Sequence, residues 1–513
     1  MIGALALLMC HVCQAQDITI RYSGNTAKVK QTAKDSVNVS VEGAHVTINS
    51  TYTTHKLTVS LSGKSNDGQL VMKTAGKAKL RLNGVNLTCQ EGAPLWLKNK
   101  RRVDITAEKG TKNTLTIVAC TDTVNQKDAV IWAKDKVKFE GKGTLDVMAQ
   151  GDGCKGIRCK DDITIEELTL TVTTTGNNLG EDTTRVMGFG GPPPTFDPDK
   201  MTDEEKARFE EMRQRFEEMR QHFEEMKEKG ELPPFMGGFG GPRGEGNDST
   251  HHGAFGFFPP QGGFGAPPAG EGGGMPFGKR KYISTTKGIK SLGQVIINSG
   301  NVTVKTSSPG AEGIEGKEGV TLNGGVIHVT AVDDAINANA AIEFNGAEVV
   351  AISTTNDAVD ANLGGAFFMP FGSNHQNQQQ EPAIIITGGT VFAWSQIGAP
   401  EEGLDCDFSP IAISGGRVFS VGAGMGDMPS VPTTYTAKQP TALLVGIDIA
   451  ENQPIQLYDN QGKLLDTITV PFSLQRSSSL LSNEALEMGG TYTIKTQDFE
   501  KTFTLNENFT IVR

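Results

Sequence analysis

From about Val37 onward the chain is written in short runs in which apolar and β-branched residues recur at every second position, separated by turns rich in Gly, Asn and Asp. Such alternation predicts half-buried strands of three to five residues rather than helices. Val320-Thr321-Leu322 and Val326-Ile327-His328-Val329 are two such runs, split by Asn323-Gly324-Gly325; Asn345-Gly346 and Gly388-Gly389 punctuate later ones. The runs repeat as a set. Lys287-Gly288-Ile289-Lys290, Glu312-Gly313-Ile314-Glu315, Asp334-Ala335-Ile336-Asn337 and Asp357-Ala358-Val359-Asp360 begin successive copies, 25, 22 and 23 residues apart. Earlier copies start at Asp128 and Lys155, and Glu402-Gly403-Leu404-Asp405 is a diverged one. Between Val37 and Val118 the texture is the same with looser spacing.

Three short strands and tight turns in about 23 residues fit one rung of a parallel β-helix, a solenoid whose rungs close the core only by stacking. The fold class expected is therefore all-β, with Ile314, Ile336 and Val359 facing inward in register. Rungs are expected over 16–176 and 285–430.

A different pattern interrupts them over 177–284. Gly, Pro and Phe crowd its two ends, and between them Phe209, Phe216 and Phe223 recur every seventh residue, with Met212, Met219 and Met226 three further on. This heptad spacing predicts one long amphipathic helix over about 202–229, opened by Thr202 with Glu205 at the capping-box position. Its apolar stripe suits a protein partner or self-association. Over 440–513 strand and turn signals return without the repeat, as in Ile455–Leu465 and Thr491–Lys495, and predict a small antiparallel cap over an otherwise open sheet edge.

Composition narrows the function classes. Gly at 62 residues with only 6% aromatics agrees with a turn-dense β protein, and a net charge of −11 argues against a nucleic-acid partner. The apolar start, Ile2 to Met9, followed by small residues to Ala15, reads as a signal peptide over 1–15, so the protein is expected to be secreted, periplasmic or on the cell surface. No later stretch reaches the ~18 apolar residues of a membrane span. Five cysteines then remain, too few for a disulfide framework; Cys154 and Cys159 are close enough in sequence to pair or to be two buried thiols.

Rung alignment also predicts charged columns, because equivalent residues of stacked rungs lie ~4.8 Å apart. One column runs Lys155, Lys287, Glu312, Asp334, Asp357, Glu402, and a second runs Arg158, Lys290, Glu315, Asn337, Asp360, Asp405. A third includes Lys160, Lys317, Asn339, Asn362 and Asp407. Stacked carboxylates repel unless something neutralises them. Calcium, which takes six to eight hard oxygens, is the counter-ion expected outside the cell, with Glu312, Glu315, Asp333, Asp334, Asn337, Asp357, Asp360 and Asn362 as its candidate ligands. Lys155, Arg158, Lys160, Lys287, Lys290 and Lys317 beside it suit the carboxylates of an acidic polysaccharide.

The Gly-Ile-Lys and Gly-Ile-Glu repeats resemble the secreted β-helix carbohydrate-binding proteins of clostridial and Bacteroidetes type, typified by the polygalacturonate-binding family. Asp333–Ala338, Asn356–Ala361 and Thr491–Ile494 carry the same likeness, which covers about 125–180 and 285–500. The resemblance implies a right-handed parallel β-helix that binds acidic, pectin-like polysaccharide, with calcium in the acidic columns. The helical insert departs from that pattern. Two other functions remain open: a calcium-dependent polysaccharide lyase using a Lys or Arg base on the same face, and a structural or adhesive surface protein using the inserted helix. An inverting polygalacturonase does not fit, since Asp333 and Asp334 are adjacent and no Gly-His-Gly is present. No catalytic residue is assigned.

Overall fold

A computed structural model describes residues 17–32, 36–120, 128–181, 282–363, 381–397, 400–406, 409–422 and 430–513. The expected signal peptide and the helix over 202–229 lie outside the described residues. Everything described is strand, turn or irregular chain, so the protein is all-β there.

Each rung contributes one strand to each of three parallel ladders. Lys155–Cys159, Lys287–Ser291, Glu312–Gly316, Ile336–Ala338, Val359–Ala361 and Leu404–Asp405 follow one another in the first, an 11-stranded sheet. The other two ladders, exemplified by Val320–Leu322 and Val326–Ala331, belong to one 24-stranded sheet. They are joined where the long strand Ala78–Glu91 pairs in both. The upstream texture is thus also rungs: Leu95–Asn99 and Ala129–Ala133 precede Lys155–Cys159 in the first ladder.

Inward side chains are Val, Ile and Leu, stacked in register and closed from solvent; Ile157, Ile289, Ile314, Ile336 and Val359 form one such file. The turns are held by a second kind of stack. Asn323 Nδ2 donates to Asn298 Oδ1 at 2.8 Å and Asn345 Nδ2 to Asn323 Oδ1 at 2.9 Å, so each turn amide satisfies the next. Gly325 follows Asn323 with φ +93°, and a Cβ there would lie 2.6 Å from the Gly300 carbonyl oxygen.

Antiparallel hairpins close the first end: Asp17–Ser23 with Thr26–Gln31, and Val37–Glu42 with His45–Ser50. At the other end Leu474–Ser482 pairs antiparallel with both Arg417–Val421 and Thr441–Ile449. A four-stranded antiparallel sheet, Pro454–Asp459 with Leu464–Thr469, Thr491–Lys495 and Glu500–Thr504, completes the cap. This cap also covers a side of the solenoid. Trp394 and Phe419 are buried in the cap's own core, with Val350, Ile352 and Phe392 packed against it.

Candidate functional site

The second column of the first ladder keeps a single register over eight rungs: Trp96, Trp132, Arg158, Lys290, Glu315, Asn337, Asp360, Asp405. Three residues upstream runs the companion column, in which Lys287 is opposite Glu312. On a flat strand residues three apart point to opposite faces. Here both point outward. Lys155 Nζ and Arg158 Nη1 reach the same carboxylate, Asp128 Oδ2, at 2.8 and 2.6 Å. The intervening glycine makes this possible by turning the strand. A Cβ on Gly156, Gly288 or Gly313 would lie 2.2–2.3 Å from the Cγ1 of Val172, Val304 or Val329 in the neighbouring ladder. The backbone therefore hugs the core at this corner and throws the flanking side chains outward.

These columns are less open than surface columns. Lys155, Lys287, Glu315, Asp334, Asn337, Asp357, Asp360 and Glu402 are all buried, while Arg158, Lys290 and Lys317 are partly exposed. The basic rungs meet acids rather than empty solvent. Lys287 Nζ lies 2.5 Å from Glu312 Oε1 and 3.0 Å from Glu315 Oε2; Lys290 Nζ lies 2.7 Å from Glu315 Oε2, and Lys317 Nζ 2.5 Å from Glu315 Oε1. Burial would push the Glu315 carboxyl up, but the three lysines outweigh it and hold it at about 2. Glu312 is shifted the other way, because burial and repulsion from Glu315 and Asp333 exceed the pull of Lys287.

The next rungs are acidic and amide-bridged. Asn337 Nδ2 donates to Asp334 Oδ2 at 2.8 Å and to Asp360 Oδ2 at 2.9 Å. Asn356 Nδ2 donates to Asp333 Oδ1 at 2.8 Å and Asp334 Oδ1 at 2.6 Å, so these adjacent carboxylates converge after all: a turn precedes the strand that starts at Ile336. Asn362 Nδ2 donates to Asp360 Oδ2 at 2.5 Å. Burial and like charge push Asp334 far above the usual carboxylate range, and burial with repulsion from Asp405 takes Asp357 to about 9. Among the described residues no lysine or arginine pairs with Asp334 or Asp357.

The donor set divides for calcium. Glu312 and Glu315 are already paired with lysines. Asp333, Asp334, Asn337, Asp357, Asp360 and Asn362 are hard-oxygen donors of the kind calcium takes. In this arrangement, among the described residues, no three acidic, His or Cys groups converge as a ligand set. The amides of Asn337 and Asn356 occupy the carboxylate oxygens instead.

Several residues of the site carry no repeat signal in the charged columns. Asp128 opens a rung yet serves the next one, and Ser284 donates to Gly153 O while accepting from Lys155 Nζ at 2.9 Å. Burial lowers the Lys155 ammonium to about 8, against the pull of Asp128. Trp96 and Trp132 were legible only by aligning Leu95 with Ile131. Cys154, next to Lys155, forms a disulfide with Cys120, not with Cys159, which is a buried thiol. Cys159 lies in the inward file of its strand and Cys120 at the neighbouring rung's end, which decides the partner.

Residues 22–188 match the model of a family described as carbohydrate-binding domain-containing protein. A protein of the same description from Acetivibrio thermocellus is 28% identical over 162 residues, 30% of this chain and 54% of that relative, so the chain spans about half of the relative's length. The gadolinium derivative of the polysaccharide lyase-like protein from C. thermocellum aligns at 19% identity and a TM-score of 0.37, over 65% of this chain and 90% of that one. The matched segment 22–188 contains the rungs of Trp96, Trp132, Lys155 and Arg158. Among the described residues no helix is long and apolar enough to cross a membrane.

Proposed function

We propose that the protein is an exported, right-handed parallel β-helix that binds acidic polysaccharide of the polygalacturonate type along the outward column from Trp96 to Asp405. The observation that carries the reading is this single register of aromatic, basic and acidic side chains over eight rungs. Its pitch of ~4.8 Å per rung suits an extended polymer lying along the ladder. The match of 22–188 to a carbohydrate-binding family model supports the sugar class. Parallel crossovers are almost always right-handed, which supports the winding. The Cys120–Cys154 disulfide supports export, since disulfides persist in oxidising compartments.

Arg158, Lys160, Lys290 and Lys317, the more open cations, take uronate carboxylates; Lys155 and Lys287, both enclosed, hold Asp128, Glu312 and Glu315 in place. Calcium at Asp333, Asp334, Asp357 and Asp360 supplies positive charge and a coordination position for a further uronate oxygen. Asn337, Asn356 and Asn362 join it by turning their amide oxygens inward.

Binding without turnover is favoured over a lyase. Burial lowers the ammonium of two lysines here, and neither is a free base: Lys155 is enclosed between Asp128 and Ser284, and Lys290 is paired with Glu315. Calorimetric titration with polygalacturonate, in calcium and then in chelator, tests the reading. Calcium-dependent binding with no continuing heat supports it. Continuing heat after saturation supports the lyase, and absence of binding in both buffers removes the acidic-polysaccharide reading.

A further inference from the structure

The column does not begin at its basic rungs. Two indoles precede Arg158 in register: Trp96, then Trp132. They meet edge to face with centroids 6.4 Å apart and, with Ala93 and Ala129, form a cluster separate from the main core. Indoles outside the core need another reason to be there, and their polar atoms supply one.

Trp132 is only 5% exposed, yet its Nε1–H has no acceptor, and neither has the Nε–H of Arg158 on the next rung. Buried donors without acceptors are rare and costly. These two belong to register partners on adjacent parallel strands, so one carboxylate lying between the two rungs can face both. The local charge also favours an anion. Asp128 faces both Lys155 and Arg158, which leaves one positive charge in excess, and Lys160 Nζ stands 5.8 Å from the Trp132 ring centroid. The guanidinium is already oriented, because its Nη1 is fixed on both Asp128 oxygens at 2.7 and 2.6 Å.

We infer that Trp132 and Arg158 form a carboxylate subsite, in which the indole Nε1–H and the guanidinium Nε–H together receive one uronate carboxylate of the polysaccharide. The inference rests on the acidic-polysaccharide reading and adds to it a site whose aromatic member continues the second column beyond its charged rungs.

The probe is tetragalacturonate, compared with its methyl-esterified, uncharged form; affinity is read by calorimetry, and contact by Trp132 emission in a full-length Trp96→Phe, Trp394→Phe background. Trp132→Phe keeps an aromatic ring and removes the donor together with the second ring, while Arg158→Lys keeps the charge and removes the Nε–H. Each is expected to weaken tetragalacturonate about fivefold, the worth of one hydrogen bond. The esterified probe should bind weakly to all three proteins, and the ligand-induced emission change should vanish in Trp132→Phe. Unfolding curves matching the parent show that the variants fold. If tetragalacturonate binds the parent and both variants alike, the subsite is wrong while the wider reading stands. If the esterified probe binds as well as the acid, the carboxylate assignment fails. Absence of binding to the parent overturns both.

Discussion

Lys287 Nζ and Glu315 Oε2 stand 3.0 Å apart on successive rungs, and their side chains are only 7% and 1% exposed. Glu315 also holds Lys290 and Lys317, so one carboxylate pairs with three lysines. Breaking a buried pair by removing one partner costs about 3–5 kcal/mol, because the remaining charge stays buried. Glu315→Gln is therefore expected to lose about that much stability in denaturant unfolding, more than Glu312→Gln. A loss below about 1 kcal/mol would mean the lysines find other partners or solvent.

The same group sets an acid limit. Its carboxyl falls from an ordinary 4.5 to about 2 in the folded chain, so the unfolded state binds the proton more readily. The stabilisation is complete above pH 4.5 and is lost as pH falls from there through 2. Melting temperature against pH should drop over that window, and the drop should be shallower in Glu315→Gln. Parallel curves for the two proteins would remove Glu315 as the cause.

Much of this was legible in the sequence, and the reason is periodicity. The register Lys287–Glu312 and Lys290–Glu315–Asn337–Asp360 follows from counting, because a parallel ladder keeps equivalent residues opposite one another. What counting does not supply is which side a residue faces at a corner. The glycine at 156, 288 and 313 brings side chains three apart to one side, and only the clash of a Cβ with Val172, Val304 or Val329 reveals it. Partners from outside the aligned set, such as Asp128 for Arg158 and Asn356 for Asp334, escape the same arithmetic.

Gly288→Ala tests that corner. The added methyl would lie 2.3 Å from Val304 Cγ1 and 2.6 Å from the Gly313 carbonyl oxygen, so the strand must shift. Overpacking of this kind costs about 1–3 kcal/mol. Because Lys287 and Lys290 flank the corner, polygalacturonate affinity is expected to fall along with stability. Unchanged stability and affinity would show that the corner yields without strain.

Calcium has a sharper signature than affinity. Asp334 and Asp357 are buried among like charges, so neutralising both as Asn should raise the melting temperature in chelator while abolishing any rise on adding calcium. The parent should show the reverse: lower in chelator, higher in millimolar calcium, the range of extracellular modules. A parent whose melting temperature ignores calcium would count against the metal.

The disulfide fixes the rung that carries Lys155. Cys120 and Cys154 are 34 residues apart, and closing such a loop is worth about 2–4 kcal/mol. The double Cys120→Ala, Cys154→Ala variant is expected to lose that much, and reductant should destabilise the parent but not the variant. Equal sensitivity to reductant in both would place the effect elsewhere.

Arg417 ties the cap sheet to the solenoid. Its Nε and Nη2 grip Asp466 at 2.7–3.1 Å, Nη2 also donates to the Thr467 carbonyl at 2.9 Å, and the guanidinium carbon lies 4.7 Å from the Phe392 ring centroid. Asp466 keeps two donors, Asn483 Nδ2 and the Thr467 N–H, if the arginine is removed. Arg417→Ala should therefore cost about 2 kcal/mol, the scale of hydrogen bonds to a charged group. Trp394 stacks on Phe392 with centroids 5.4 Å apart, inside the cap's core, so its emission reports this contact once Trp96 and Trp132 are changed to Phe. The cap is expected to loosen before the rungs in the variant, with Trp394 emission shifting at lower denaturant than the loss of β-sheet signal. Coincident transitions would mean that cap and solenoid unfold as one unit, held by the apolar contacts of Phe419 and Ile352 rather than by the arginine.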